Sequence, residues 1–357
     1  MSMKNTTKQK PETNLNINSA STLDLIAEQW YPICLSASLK NKPQSLRRLG
    51  QDLVLWRDES GAACCAPAAC PHRGADLGMG RIENGELQCK YHGFCFDRNG
   101  RCTKTPCEGS RAEIPNSLDL QMIPVEEKDD FIWFYYGKNK NRPQIPHIKG
   151  ITGGWRDALT CEFTWDISLS RVMEGMMDLH HLPFAHRPWF PPGWTRLDPY
   201  KVRVEDGVIY TRGILRKEEE KGGIKAFMNV GFPSLLHIAM GNGADIDDDT
   251  ISGFEMLGTC TPIDQHRTWI AVYYRQSYVR IPLFDRLFNL IALQFDLKLI
   301  QPDDYRLLKS SSPSSSGSGS SHLVRADRGI AEWHRLQKKA LESNCLQNAE
   351  TEIQKTG

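Results

Sequence analysis

From about Leu46 onward, apolar and polar residues alternate over short runs separated by turn-forming residues, the period of two expected of half-buried strands. The stretch "RRLGQDLVLWRDESGAACCA" holds two such runs around the turn-like "DESG". "ELQCKY", "GFCFDRNGRC" and "DFIWFYYG" add further runs, with Asn99-Gly100 as a hairpin signal. The pattern predicts a small, mostly antiparallel β unit over 28–140, with Trp30 and Tyr31 as early core residues. "KNKNRPQIPHIKGITGG" (138–154), rich in Pro, Gly and Lys, reads as a linker. Longer strands follow, among them "KVRVEDGVIYTRGIL", "ISGFEMLGTCTPI" and "RTWIAVYYRQSYV", together with helical patterns at about 168–182, 283–300 and 326–342. Long strands crossing between helices predict an α+β unit over 150–345 in which an antiparallel sheet wraps a helix. Two segments lack any period: residues 1–25 read as a disordered arm, and the Ser-rich stretch 310–322 as a flexible surface loop.

Composition narrows the class. The 357 residues are 40% hydrophobic and 24% charged, the balance of a globular chain with a real core. A formal charge of +1 argues against a protein held on nucleic acid by phosphate contacts. The most apolar stretch, 281–300, is interrupted by Asp285, Arg286, Asp296 and Lys298, so no membrane span is expected. No apolar leader is visible in the arm, which makes the cytoplasm the expected compartment. Eleven cysteines in such a setting point to metal ligation and buried free thiols rather than to a disulfide scaffold.

Chemistry concentrates in two places. "CPHRGADLGMGRIENGELQCKYHG" (70–93) puts Cys70 and His72 on one glycine-bearing loop and Cys89 and His92 on a second. Zinc and iron–sulfur clusters both accept thiolate and imidazole. Common zinc fingers draw two thiols from one knuckle and two histidines from another. One Cys and one His per loop suits a [2Fe-2S] centre with two thiolates on one iron and two imidazoles on the other. Cys64, Cys65, Cys95, Cys102 and Cys107 read as packing thiols.

The second place is "RVMEGMMDLHHLPFAH" (171–186), with Asp178, His180, His181 and His186. Asp178 and His181, three apart, share a face if helical, and Pro183 lets the chain turn so that His186 approaches the same point. Two imidazoles and one carboxylate with open positions make the facial triad of Fe(II) oxygenases. The carboxylate must come from afar. Asp285, Asn289 and Asp296 form a thin polar stripe on the apolar helix around 283–300, and a carboxylate deep in such a run needs a partner. Asp296 is the expected third ligand, and Asp303 and Asp304, in a turn-like setting, are its rivals.

These residues resemble the Rieske non-haem iron oxygenases, of the ring-hydroxylating alpha-subunit type. "CPHRGADL" and "CKYHGFCFD" carry the cluster motif, D-x-x-H-x-x-x-x-H the iron motif, and "FDLKLIQPDD" the segment of the third ligand, over roughly residues 28–340. Ala75 and Tyr91 stand where respiratory Rieske proteins have an extra disulfide pair, which favours the oxygenase branch. The resemblance implies a Rieske domain followed by a helix-grip catalytic domain, in a head-to-tail homotrimer. It makes His181, His186 and Asp296 ligands of a mononuclear Fe2+, and Asp178 the bridge from His92 of one chain to His181 of the next. Glu174 departs from the Asn common at that place. It further implies O2, an external ferredoxin or NAD(P)H-dependent flavin reductase, and monooxygenation of an apolar or aromatic small molecule. "GMGRIENG" lacks the dinucleotide spacing, so the reductant is not expected to bind there. Met173, Met176, Met177, Phe184, Phe232, Leu236 and Trp269 are the expected pocket residues. The rival readings are a Rieske electron-transfer or redox-sensing protein with an inert second site, and a zinc protein.

Overall fold

A computed structural model describes residues 25–356 apart from 150, 152–157, 221, 248–250, 252, 279–280 and 314–321. The expected arm, except Leu25, and most of the expected Ser-rich loop lie outside the described residues.

The first part of the chain forms three small sheets. Strands β1 (Gln29–Leu35), β10 (Phe131–Tyr136) and β9 (Val125–Lys128) pair in that order, as do β2 (Gln44–Arg48), β3 (Gln51–Arg57) and β4 (Ala63–Pro67). The third sheet runs β5 (Arg81–Glu83), β6 (Glu86–Gln88), β7 (Cys95–Phe96) and β8 (Cys102–Lys104). All of these pairings are antiparallel. Short strands closed by tight turns are what the alternating pattern dictates. Trp56, Leu77, Leu87 and Phe96 fill the core under the cluster loops.

The second part is one seven-stranded antiparallel sheet, in the order β11 (Leu159–Trp165), β17 (Thr268–Gln276), β16 (Gly253–Pro262), β15 (Leu235–Gly243), β14 (Gly223–Gly231), β13 (Val208–Arg216) and β12 (Arg196–Glu205). Alternate side chains point to opposite faces. Leu235, Leu257 and Tyr273 meet Trp30, Phe131 and Trp133 of the first part in a shared core. Val230, Leu236 and Ile270 join Val172, Met173 and Met177 of helix α1 (Leu169–Met177) and Ile330 and Trp333 of α5 (Arg328–Thr356). The fold is therefore α+β with antiparallel sheets. No helix among the described residues is long and apolar enough to cross a membrane.

Two helical expectations and the expected linker change. The helix expected over 168–182 stops at Met177, and a second short helix, α2 (Leu182–Ala185), follows. The expected 283–300 helix is α3 (Pro282–Phe295) followed by a π-helical turn, Asp296–Ile300, that runs directly into α4 (Gln301–Ser310). Asp303 and Asp304 therefore sit on a helix and not in a turn. The stretch expected to be a linker is packed where it is described: Ile145 and Ile148 are buried in the shared core, and the Trp30 indole donates to the Pro143 carbonyl at 2.8 Å. Its residues 150 and 152–154 lie outside the described residues.

Candidate metal centres

The two cluster loops are built alike. The Cys70 amide donates to the Ala75 carbonyl and the Cys70 carbonyl accepts from Gly74, both at 2.8 Å. In the second loop, Cys89 donates to Phe94 at 2.8 Å and accepts from Gly93 at 3.0 Å. Gly74 and Gly93 have φ of 73° and 74°, a conformation glycine adopts without steric cost, so each loop can fold back over its cysteine. Cys70 and Cys89 are 4% and 2% exposed, whereas His72 is exposed and His92 half-buried. The imidazole rings lie 4.7 Å apart, and Phe94 stacks on His72 at 4.5 Å. The thiols thus point inward and the imidazoles outward. Burial pushes the Cys70 thiol up to about 11, so a metal must draw its proton off. The ten described cysteines form no disulfide. Cys64, Cys65, Cys95 and Cys102 are buried, while Cys107 is exposed.

The second centre starts where α1 ends. Asp178 is the C-cap residue, with extended backbone. Its Oδ1 accepts the amides of His180 (3.0 Å) and His181 (3.3 Å) and lies 2.9 Å from His180 Nδ1, while its Oδ2 lies 3.6 Å from His181 Nδ1. Asp178 and His181 therefore meet through a capping turn and not along a continuous helix face. Burial opposes ionisation of Asp178, yet the hydrogen bonds and charges of His180 and His181 outweigh it and hold the carboxyl far below its ordinary range. Pro183 sits in the first turn of α2, where its missing N–H costs nothing, and the His186 amide closes that helix on Leu182 at 3.1 Å.

The carboxylate that meets these histidines is Asp304 and not the expected Asp296. Asp304 Oδ1 lies 3.0 Å from His186 Nε2 and 3.5 Å from His181 Nε2, and one ligand atom from each residue falls within 4.8 Å of the others. The reason is local. Pro302 lacks an N–H and crowds the carbonyl four residues back, so the ladder opens into the π turn, with the Gln301 amide bonded to the Asp296 carbonyl. The wider turn changes the phase of everything after it, and Asp304 swings onto the histidines. Asp296 instead accepts a hydrogen bond from Gln301 at 3.1 Å. Burial, helped by the nearby Asp304 charge, pushes its carboxyl up to about 6.

The triad is starved of hydrogen bonds. His186 is 1% exposed, and neither of its ring nitrogens, nor His181 Nε2, finds a hydrogen-bond partner of proper geometry among the described residues. Two buried imidazole nitrogens and a carboxylate oxygen converging without donors between them fit a divalent metal ion. Without that ion, burial lowers the His181 pKa, but the Asp178 and Asp304 carboxylates override it and carry it to about 9.

The expected pocket residues fall in different settings. Met173, Met177, Phe232 and Leu236 belong to the central core, and Met176 packs against it. Trp269 lies in the core shared by the two parts, under the Arg48 guanidinium at 4.1 Å, and Phe184 is 64% exposed. The apolar cluster contributed by the triad's own segment holds Leu179 and Leu182 with Met228, Ile238, Met240 and Met256. Its signal was the apolar alternation of β14 and β15, which does not say what a strand faces. Glu174 turns away from the triad toward Arg171 and His334.

Residues 29–123 match the Rieske [2Fe-2S] domain. The phenoxybenzoate dioxygenase subunit alpha of Ectopseudomonas oleovorans is 32% identical over 300 residues, covering 72% of both chains. The 3-chlorobenzoate-3,4-dioxygenase oxygenase subunit of Comamonas testosteroni is 33% identical over 164 residues, which is 45% of this chain and 38% of the relative. Against chlorophyllide a oxygenase of Chlamydomonas reinhardtii, the chain spans 25% of the relative's length at 32% identity over 168 residues and 46% of this chain. The crystal structure of dicamba monooxygenase bound to dicamba shares the fold, with a TM-score of 0.71 at 19% identity, over 90% of this chain and 99% of that one.

Proposed function

The chain belongs to the Rieske non-haem iron oxygenases, and we propose that it is an oxygenase component that uses O2 and externally supplied electrons to monooxygenate an apolar or aromatic small molecule. The observation that carries this reading is the second centre, because an electron carrier has no use for two buried imidazole nitrogens and a carboxylate drawn together without well-formed hydrogen bonds.

In this reading residues 28–140 form the cluster domain and 150–345 the catalytic domain. Cys70 and Cys89 hold one iron of a [2Fe-2S] cluster through thiolates, and His72 and His92 hold the other through neutral imidazoles, which raises the potential. His181, His186 and Asp304 hold a mononuclear Fe2+. Bound there, the ion supplies a site for O2 beside the substrate. Asp178 fixes the orientation of His181 by capping its amide and standing beside its Nδ1. Its remaining capacity can accept a hydrogen bond from His92 of a neighbouring chain, and so bridge cluster and iron in a homotrimer. Leu179, Leu182, Met228 and Met240 offer an adaptable apolar wall that keeps water away. Relatives named for chlorobenzoate and phenoxybenzoate support an aromatic substrate. Electrons come from an external ferredoxin or flavin reductase. Ten described cysteines without a disulfide support work in a reducing compartment, the cytoplasm.

The test is iron and acid-labile sulfide per chain in anaerobically purified protein. The expected result is about three irons to two sulfides, from one cluster and one triad. Asp304→Ala is expected to lose the unpaired iron alone, and Asp296→Ala to keep it. Two irons to two sulfides in fully loaded wild type would leave an electron carrier instead.

A further inference from the structure

Helix α1 sets the second centre from both of its flanks. On one side α4 crosses it at Gly175, where a Cβ would stand 2.6 Å from Leu308 Cδ1, so the helix bearing Asp304 lies directly against α1. On the other side the contact with α5 is polar and buried. Arg171 and Glu174 form an ion pair at 2.6 Å, with side chains 9% and 12% exposed. The second carboxylate oxygen of Glu174 lies 2.8 Å from His334 Nε2 on α5, and His334 Nδ1 lies 3.2 Å from Gln337 Oε1. Arg171 Nε donates to the Pro313 carbonyl at 2.9 Å, which ties in the chain just beyond α4. Arg171, Glu174 and Asp178 stand at i, i+3 and i+7, one stripe leading from this junction to the metal centre.

We propose that Glu174, clamped by Arg171 and His334, is a positioning residue for the mononuclear centre: it fixes the roll of α1, and through it the aim of Asp178 and the approach of His181 to Asp304. This rests on the oxygenase reading above. An apolar contact would hold two helices together more cheaply than a desolvated ion pair, but it would not fix their roll. The clamp has a proton in it. The ring nitrogens of His334 face a Glu174 carboxylate oxygen and the Gln337 amide, and with the amide oxygen turned toward the ring, as it is here, the imidazolium donates to both. The groups facing His334 are Glu174 and Arg171 from α1 and Gln337 from α5, with the Trp333 ring 5.3 Å away. Burial lowers its pKa, yet Glu174 and Gln337 outweigh burial and Arg171, and the net shift is upward. A raised pKa means the clamp is complete below the ordinary imidazole range and is lost as pH climbs through the folded value.

The experiment compares full-length, cluster-loaded wild type with Glu174→Gln, His334→Gln and the double variant Arg171→Met/Glu174→Leu. The readouts are chelator-resistant iron per labile sulfide and the electron paramagnetic resonance of the nitric oxide adduct of the unpaired Fe2+, from about pH 6 to pH 9. Wild type is expected to change its adduct line shape with pH. His334→Gln, which can still donate to Glu174, is expected to fold and to abolish that change. Glu174→Gln is expected to retain the unpaired iron about tenfold less well with an unaltered cluster spectrum. The double variant is expected to recover thermal stability but not the wild-type adduct signal. Wild-type iron retention and pH profile in the single variants would overturn the proposal, and so would a double variant with the wild-type signal, which would reduce the clamp to mere packing. A wild type with no third iron would instead overturn the oxygenase reading and take this proposal with it.

Discussion

Asp178 makes the plainest statement at the scale of single residues. Its carboxylate meets two amides and two imidazoles, so its charge is held by partners a neutral side chain cannot satisfy in the same way. Asp178→Asn is expected to leave cluster and iron content unchanged and to slow single-turnover oxidation of the reduced cluster by up to about a hundredfold, as outer-sphere ligand partners do at their strongest. A wild-type oxidation rate in stopped flow would remove Asp178 from the electron path. His181 gives the pH dependence. With its pKa raised from 6.5 to about 9 in the iron-free protein, its pairing with Asp178 and Asp304 stabilises fully below pH 6.5 and fades as pH rises through about 9. Asp178, depressed below its ordinary 3.8, contributes above that value and loses its contribution only in strong acid. Iron-free protein is therefore expected to melt at lower temperature at pH 9 than at pH 6. Binding of Fe2+ at pH 7 is expected to release about one proton, because a ligating imidazole must be neutral. Titration calorimetry in two buffers of different ionisation enthalpy reads that proton, and its absence would mean that His181 does not ligate.

At the scale of elements, the cluster loops were legible because the two candidate ligands of each loop are close in sequence: one residue separates Cys70 from His72 and two separate Cys89 from His92. His181 and His186 were legible for the same reason. The third carboxylate was not, because a uniform helical period run through 283–300 picks out Asp296 and carries no trace of the π turn. The signal was Pro302, which cannot belong to an unbroken helix. The network of Glu174 and His334 had no local signal at all, its members lying 160 residues apart. Pro302→Ala tests the account of the turn. A proline inside a helix costs about 3 kcal/mol, so alanine is expected to let α3 and α4 join as one α-helix and to stabilise that segment. Asp304 would rotate off the histidines, and iron retention is expected to fall roughly tenfold while the melting temperature holds or rises. If iron retention stays at the wild-type level, the turn does not aim Asp304.

At the scale of the molecule, the two parts are joined stiffly. The amides of Leu49 and Gly50 donate to the carbonyls of Pro262 and Ile263 at 2.7 and 2.8 Å, the Tyr273 hydroxyl donates to the Asp130 carbonyl at 2.7 Å, and the core between them is continuous. A docked pair of this kind does not swing its cluster edge about, so in the proposed homotrimer the exposed His72 and half-buried His92 would face the triad of another chain. That makes a prediction no single-chain path can satisfy. Cys89→Ala removes the cluster but keeps the triad, and Asp304→Ala removes the unpaired iron but keeps the cluster. Each alone is expected to be inactive. Co-expressed in equal amounts and isolated as mixed closed trimers, they are expected to recover about a third of wild-type turnover, because in every mixed ring one interface of three pairs an intact cluster with an intact iron in the right order. The measurement is substrate-dependent O2 uptake by the co-purified mixture, with each variant carrying a different affinity tag so that mixed oligomers are isolated. Recovery places the electron path between chains and makes the assembly part of the active site. Failure of mixed oligomers to recover any turnover would put the path inside one chain, and Asp178 would then have to orient His181 without bridging to a neighbour.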